Sequence, residues 1–181
     1  MLFMIASDIH GSNYYAELLI NRFNEMKADR LILLGDILYH GPRNDLPKDY
    51  APKKVAALLN EYAERIMTVR GNCEAEADQL LLAFPALGDY ACFCLDGVTI
   101  YASHGHHAGE NNPPPIKNNE ILLCGHTHIP KCAQHEGFVY MNPGSVSIPK
   151  EGSAHSFMTF ENGVFKWFDL ETGETYKEYR V

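Results

Sequence analysis

LFMIASDIH, residues 2–10, begins with five apolar residues and ends on a carboxylate and an imidazole. An apolar run this short suits a strand buried on both faces. Asp8 and His10 stand just past its end, where packing alone gives no reason for them. The stretch therefore reads as a core strand that delivers polar groups to one edge of a sheet.

Outward from it the pattern repeats. Residues 14–27 place Ala16, Leu19, Ile20 and Phe23 on one helical face. RLILLGD, residues 30–36, is a second buried strand, and residues 52–65 restore the helical period through Val55, Leu58, Leu59 and Tyr62. IMTVRGN, residues 66–72, reads as a third strand. CEAEADQLLLAF, residues 73–84, reads as a short helix whose acids suit its N-terminal dipole. Strands alternating with helices imply a parallel sheet with right-handed crossovers.

The second half changes character. Turn pairs at Asp96-Gly97, Glu136-Gly137, Asn162-Gly163 and Thr172-Gly173 each separate short β-prone runs. Hairpins of that kind build an antiparallel or mixed sheet. The expected class is α/β, with two mixed sheets packed face to face and helices outside. No linker composition interrupts the chain, so residues 1–181 read as a single domain. Residues 39–51 and 105–119 are irregular, and the second segment holds Pro113-Pro114-Pro115, which marks a surface loop.

Bulk properties narrow the functions. The 181 residues are 46% apolar and 21% charged, ordinary values for a globular protein. A net charge of −8 argues against an extended nucleic-acid surface or an anionic membrane as partner. No apolar run approaches the ~20 residues of a membrane span. MLFMIASD reaches an acid too early for a signal peptide and has no basic leader. Cysteines 73, 92, 94, 124 and 132 are odd in number and lack zinc-ribbon spacing. They read as reduced thiols of a cytoplasmic protein. Exposed tyrosines and the KWF strand suit a homo-oligomer contact as well as they suit the core.

Polar residues recur just past the apolar runs: Asp8 and His10, Asp36, Asn72, His104, and His126 with His128. Five strand ends thus carry metal-capable side chains, and Asp36, Asn72 and His126 directly follow glycine. Ligands of open α/β sheets bind at the carboxyl ends of the strands. In an extended segment, residues i and i+2 project to one side, so Asp8/His10 and His126/His128 would each address one point. Seven such donors exceed one tetrahedral zinc and suit two divalent ions sharing a bridge. Nitrogen and oxygen donors favour manganese, iron, cobalt, nickel or zinc over calcium.

The blocks D8-I-H10, G35-D36, G71-N72-C73-E74, S103-H104-G105-H106 and G125-H126-T127-H128 resemble the five ordered motifs of the calcineurin-like metallophosphoesterase superfamily, in its small prokaryotic phosphodiesterase branch. The resemblance implies a four-layer α/β/β/α sandwich and a dinuclear metal centre. It places one ion on Asp8, His10, Asp36 and His128. It places the other on Asp36, Asn72, His104 and His126, with Asp36 as the bridge. It also implies phosphodiester hydrolysis by a metal-bound hydroxide, with two divalent ions, manganese foremost, and a small phosphodiester substrate. Two cations outweigh two aspartates, so the site would be positive inside an acidic protein.

The sequence departs from the pattern at Cys73. Many relatives carry a histidine there as proton donor to the leaving oxygen. A thiol with a pKa near ~8.5 is protonated at neutral pH and is the candidate acid here, although a packed thiol explains the residue equally well. Arg43 is the candidate phosphate holder, since guanidinium pairs bidentately with phosphate, and His40 lies on the same rim; His106, at i+2 from His104, is a candidate to line the pocket. Glu74 is read simply as an acid in a first helical turn. The segment NPGSVSIPK, residues 142–150, is read as a structural turn. A phosphomonoesterase such as a protein phosphatase, and a non-catalytic scaffold of the same fold, are the alternative functions.

Overall fold

The strand beginning at Phe3 is buried along its whole length in the computed structural model, which describes residues 1–117 and 120–181. This strand, β1 (Phe3–Ala6), lies inside a sheet of six. It pairs in parallel with β2 (Arg30–Leu33), which pairs in parallel with β3 (Ile66–Thr68). Helices α1 (Asn13–Glu25) and α2 (Pro52–Asn60) make the two crossovers, and a single 3-10 turn (Ala63–Arg65) precedes β3. Ser12 caps α1 through its side-chain oxygen, which accepts from the Tyr15 N–H. Pro52 sits at the start of α2, where its missing N–H costs nothing.

The expected helix over 73–84 is shorter. Only Glu76–Gln79 (α3) is helical. The Gln79 side chain explains the stop: its amide donates to the carbonyls of Leu82 and Phe84, and its oxygen accepts from the Ala86 N–H. Those bonds satisfy backbone groups that a continued helix would have paired.

The second sheet has five strands. β4 (Tyr90–Leu95) and β5 (Val98–Ser103) form a hairpin through Asp96-Gly97, and both turn residues have positive φ. β5 pairs in parallel with β6 (Glu120–Leu123), and β6 in parallel with β8 (Phe138–Asn142). β7 (Lys131–His135) closes the edge, turning into β8 at Glu136-Gly137. The chain then returns to the first sheet. β9 (Ser156–Glu161) lies antiparallel beside β1, followed by β10 (Val164–Asp169) and β11 (Thr175–Arg180). All four expected hairpin turns are present.

Both sheets are mixed and pack face to face, as the sequence predicts. Phe3, Ile5, Ile32, Phe160 and Trp167 of the first sheet meet Ile100, Ile121, Val139 and Met141 of the second. On the far side of the first sheet, Met4, Ala6, Leu31 and Leu33 pack with Leu19, Phe23, Val55 and Leu59 of the helices. The outer face of the second sheet carries a smaller cluster of Leu122, Cys124, Phe138 and Tyr140, joined by Tyr101 and Ile116. Among the described residues no helix is long and apolar enough to cross a membrane.

This layout fixes where polar residues gather. The parallel strands β1, β2 and β3 of one sheet and β5, β6 and β8 of the other deliver their carboxyl ends to a common seam.

Candidate metal centre

At that seam Asp8 and His10 follow β1, Asp36 follows β2, Asn72 follows β3, His104 follows β5, and His126 and His128 follow β6. Their convergence is achieved by a backbone different from the extended one expected. Asp8, His10, Asp36, His126 and His128 all have positive φ, between 49° and 68°. Left-handed backbone is uncommon for residues other than glycine and clusters at functional sites. β1, β2 and β6 therefore end in sharp curls that point their side chains into the seam, and the i, i+2 pairs meet by curling. Glycine is required beside them. A Cβ on Gly71 would collide with Asp36 Oδ1, and one on Gly125 with Ser7 Oγ.

The imidazoles are oriented from behind. Nδ1 of His10, His104 and His128 lies 2.8, 2.6 and 2.6 Å from the carbonyls of Tyr39, Leu34 and Ile148. A carbonyl only accepts, so Nδ1 carries the proton, and Nε2 of the neutral ring is a bare lone pair. Such an arrangement is typical of a metal ligand held in one tautomer. His10 Nε2 and His128 Nε2 stand 3.2 Å apart. Two facing lone pairs at that distance repel unless a cation stands beside them.

The carboxylates complete the picture. Asp8 is fully buried, and its Oδ1 has no hydrogen-bond partner. That oxygen lies 3.3 Å from His128 Nε2, 3.5 Å from His10 Nε2 and 4.0 Å from His104 Nε2. Asp36 Oδ2 lies 3.7 Å from His10 Nε2 and 3.5 Å from His104 Nε2. Asn72 Oδ1 is 3.1 Å from His104 Nε2. Donor atoms group as Asp8 with His10 and His128, as Asp8 with Asp36 and His104, and as His10 with Asp36 and Cys73. Burial by itself would raise the Asp8 carboxyl; the imidazoles of His10, His128 and His104 beside it outweigh that and hold it well below the usual carboxylate range. Burial would lower the His104 imidazole, yet with no cation beside it Asp36 and Asp8 outweigh that and raise it to about 9, so that its Nε2 draws a proton to the place a metal ion would fill. Both shifts say that the cavity is short of positive charge, and divalent ions on these donors fit that need.

His126 stands slightly apart. Its ring centroid is 5.0 Å from that of His104, its backbone N–H donates to Asp8 Oδ2 at 3.0 Å, and it is half-buried. It lines a cleft of about 460 Å³ with Asp36, Asn72 and His128. Cys73 and Arg43 line the same cleft, as does Lys150, to which the sequence reading assigned no role.

The family model of the calcineurin-like phosphoesterase superfamily domain matches residues 1–163. The chain belongs to the calcineurin-like phosphoesterase superfamily. Within that superfamily it is 45% identical to phosphodiesterase YfcE of Escherichia coli K12 over 164 residues, 91% of this chain and 89% of the relative. The solved structure of Yfce, described as a phosphoesterase from E. coli, superposes at a TM-score of 0.97 with 41% identity, covering 100% of both chains. Vps29 of Entamoeba histolytica, solved with zinc, superposes at 0.62 with 19% identity over 100% of this chain and 98% of its own, which shows the fold alone.

In this phosphoesterase the residue after Gly71-Asn72 is half-buried. Cys73 N–H donates to Asp36 Oδ1 at 2.9 Å, and Asn72 Nδ2 donates to Cys73 Sγ at 3.2 Å. Burial pushes the Cys73 thiol well up, with the charge of Asp36 adding to it, so the sulfur keeps its proton at neutral pH.

Glu74 corrects the sequence reading. It precedes α3 and is 4% exposed. Its Oε2 accepts the N–H groups of Asp36 at 2.9 Å and Gly71 at 2.5 Å, and its Oε1 accepts that of Ile37 at 2.7 Å. Burial and the charge of Asp36 raise its carboxyl, and those three N–H groups oppose the rise. Glu74 thus ties the β2 end to the β3 end and fixes the turn that carries Asp36. Its direct adjacency to the Gly-Asn-Cys block was the available signal.

The 142–150 segment is likewise more than a turn. Ser145 and Ser147 hydroxyls both donate to the Asp8 carbonyl, at 2.8 and 3.1 Å, and Ile148 supplies the carbonyl that orients His128. His40 instead packs edge-on against Tyr39 and Tyr50, and Arg70 donates to the Glu74 carbonyl. His155 stacks on Tyr15, and His135 pairs with Glu110.

Proposed function

We propose that this chain is a metal-dependent phosphodiesterase, a phosphoric diester hydrolase working in the 460 Å³ cleft. The observation that carries the reading is the unpartnered Asp8 Oδ1 facing three imidazole Nε2 atoms, each on a ring whose Nδ1 is turned to a backbone carbonyl. The proposed centre holds two divalent ions, one on Asp8, His10, Asp36 and His128, the other on Asp36, Asn72, His104 and His126. Manganese is the proposed ion, and the nitrogen and oxygen donor set also accepts iron, nickel, cobalt and zinc. When bound, such ions supply an activated water nucleophile and positive charge against the phosphoryl oxygens.

The remaining steps belong to the chain. Asp36 would serve both ion positions. Arg43 holds a non-bridging phosphate oxygen from the cleft wall, and Cys73 Sγ gives its proton to the leaving oxygen. Two variants in one assay test these roles. Arg43→Ala raises KM about tenfold on any diester. Cys73→Ser leaves hydrolysis of a nitrophenyl ester unchanged and slows that of an alkyl diester about tenfold or more. Equal rates of Cys73→Ser and parent on the alkyl ester would remove the thiol from the mechanism, and an unchanged KM in Arg43→Ala would remove the guanidinium.

Diesters are favoured over monoesters because the cleft carries one arginine and one lysine, few cations for a dianionic phosphate. Hydrolysis of bis(4-nitrophenyl) phosphate should exceed that of 4-nitrophenyl phosphate by about tenfold or more in kcat/KM. The reverse order would make the chain a monoesterase. The proposed substrate is a small phosphodiester and the proposed setting the cytoplasm, where its free thiols persist.

A further inference from the structure

An apolar hollow lies beside the metal centre. It has a volume of about 570 Å³, in the range of small-molecule sites. Its floor is the outer face of the second sheet, through Tyr90 of β4, Tyr101 of β5 and Leu122 of β6, and Pro114 and Pro115 form the opposite wall. Tyr90, on the edge strand β4, is 73% exposed.

This hollow is joined to the cleft. Asp89, His106 and His107 line its mouth and also line a smaller depression of about 250 Å³ with Arg70, Gly71 and Asn72. Asn72 in turn lines the metal cleft. A molecule whose phosphate sits on the metal centre can therefore extend past Asn72, between His106 and Asp89, into a space walled by two tyrosines and two prolines. Asp89 at the mouth repels a second anionic group and tolerates a neutral one. The wall chemistry is that of a stacking platform: flat apolar faces that gain from covering another flat ring.

We infer that this hollow is a subsite for a planar aromatic group on one alcohol of the phosphodiester, either a nucleoside base or a simple aryl ring. The inference rests on the proposed function for the position of the phosphate. It gives His106 a place as a wall of the passage and makes Tyr90 a specificity-determining residue.

Calorimetric titration of the manganese-loaded protein with methyl phosphate and phenyl phosphate tests it without turnover. The two ligands share the phosphate and differ in the ring. Phenyl phosphate should bind about tenfold tighter, and Tyr90→Ala should reduce that preference to about threefold or less while leaving methyl phosphate unchanged. Tyr101→Ala, with folding checked by circular dichroism, should act in the same direction. Thymidine 5′-monophosphate separates the sources. Affinity matching phenyl phosphate assigns the ring to a nucleoside, and affinity near that of methyl phosphate assigns a simple aryl group. Equal binding of methyl and phenyl phosphate overturns the subsite and leaves the metal centre standing, as does a preference that survives both tyrosine variants. Failure of both phosphates to bind overturns the subsite when a nitrophenyl diester is still hydrolysed, and overturns the proposed function itself when it is not.

Discussion

Asp36→Asn is expected to lower diester hydrolysis by about 1000-fold or more, about 4 kcal/mol in the barrier, while the protein stays folded. The replacement is nearly isosteric. Oδ1 of Asp36 accepts the Cys73 N–H at 2.9 Å, and an asparagine oxygen keeps that bond. What changes is Oδ2, which lies between His10 and His104 at 3.7 and 3.5 Å. An amide nitrogen there bears two protons, cannot bridge two cations, and removes one negative charge from the cavity. Metal content measured beside kcat separates a lost bridge from a lost fold. A variant that retains two ions per chain and turns over at the parent rate would end the bridging role of Asp36.

Removing metal should have the other large effect. Stripping the protein with a chelator is expected to abolish hydrolysis and lower Tm by about 10 °C, with both restored by manganese. The size follows from linkage: a ligand held at a thousandfold above its Kd stabilises the native state by about 4 kcal/mol, and a chain of this length loses a few degrees per kcal/mol. The physical source is local. Without cations the seam holds buried carboxylates, a pair of imidazole nitrogens 3.2 Å apart and an unpartnered Asp8 oxygen. Scanning calorimetry and a nitrophenyl diester assay check both halves. A Tm and a rate indifferent to chelation would sink the metal centre together with the proposed function.

Much of this architecture is legible in the sequence, because the signals are local. Periodicity separates α1 from its flanking strands, and Asp96-Gly97 or Asn162-Gly163 announce hairpins through backbone freedom alone. The donors at the strand ends stand out because nothing in the core calls for them. What stays hidden depends on contacts distant in the chain. Gln79 ends α3 by reaching carbonyls and an N–H up to seven residues ahead, a choice that helix propensity does not encode. Glu74 looks like a helix-dipole acid until the ends of β2 and β3 are seen side by side, when its carboxylate becomes the pin between them. Ser145 and Ser147 read as turn residues because their shared partner, the Asp8 carbonyl, lies more than a hundred positions upstream. The left-handed curls escape for a related reason. Aspartate and histidine tolerate that backbone, and only a crowded seam makes them adopt it.

The strand order carries one more implication. Every proposed donor lies between Asp8 and His128, yet β1, which presents the first of them, is walled on one side by β9, whose residues come after position 155. Trp167, later still, donates to the Asn142 carbonyl at 2.8 Å and so steadies the segment that buttresses Asp8 and His128. On a translating ribosome the whole donor set thus emerges while the first sheet is still open along an unpaired flank. Closing that flank falls to strands made after the last proposed donor, and β9 with its neighbours acts as the clasp on the seam.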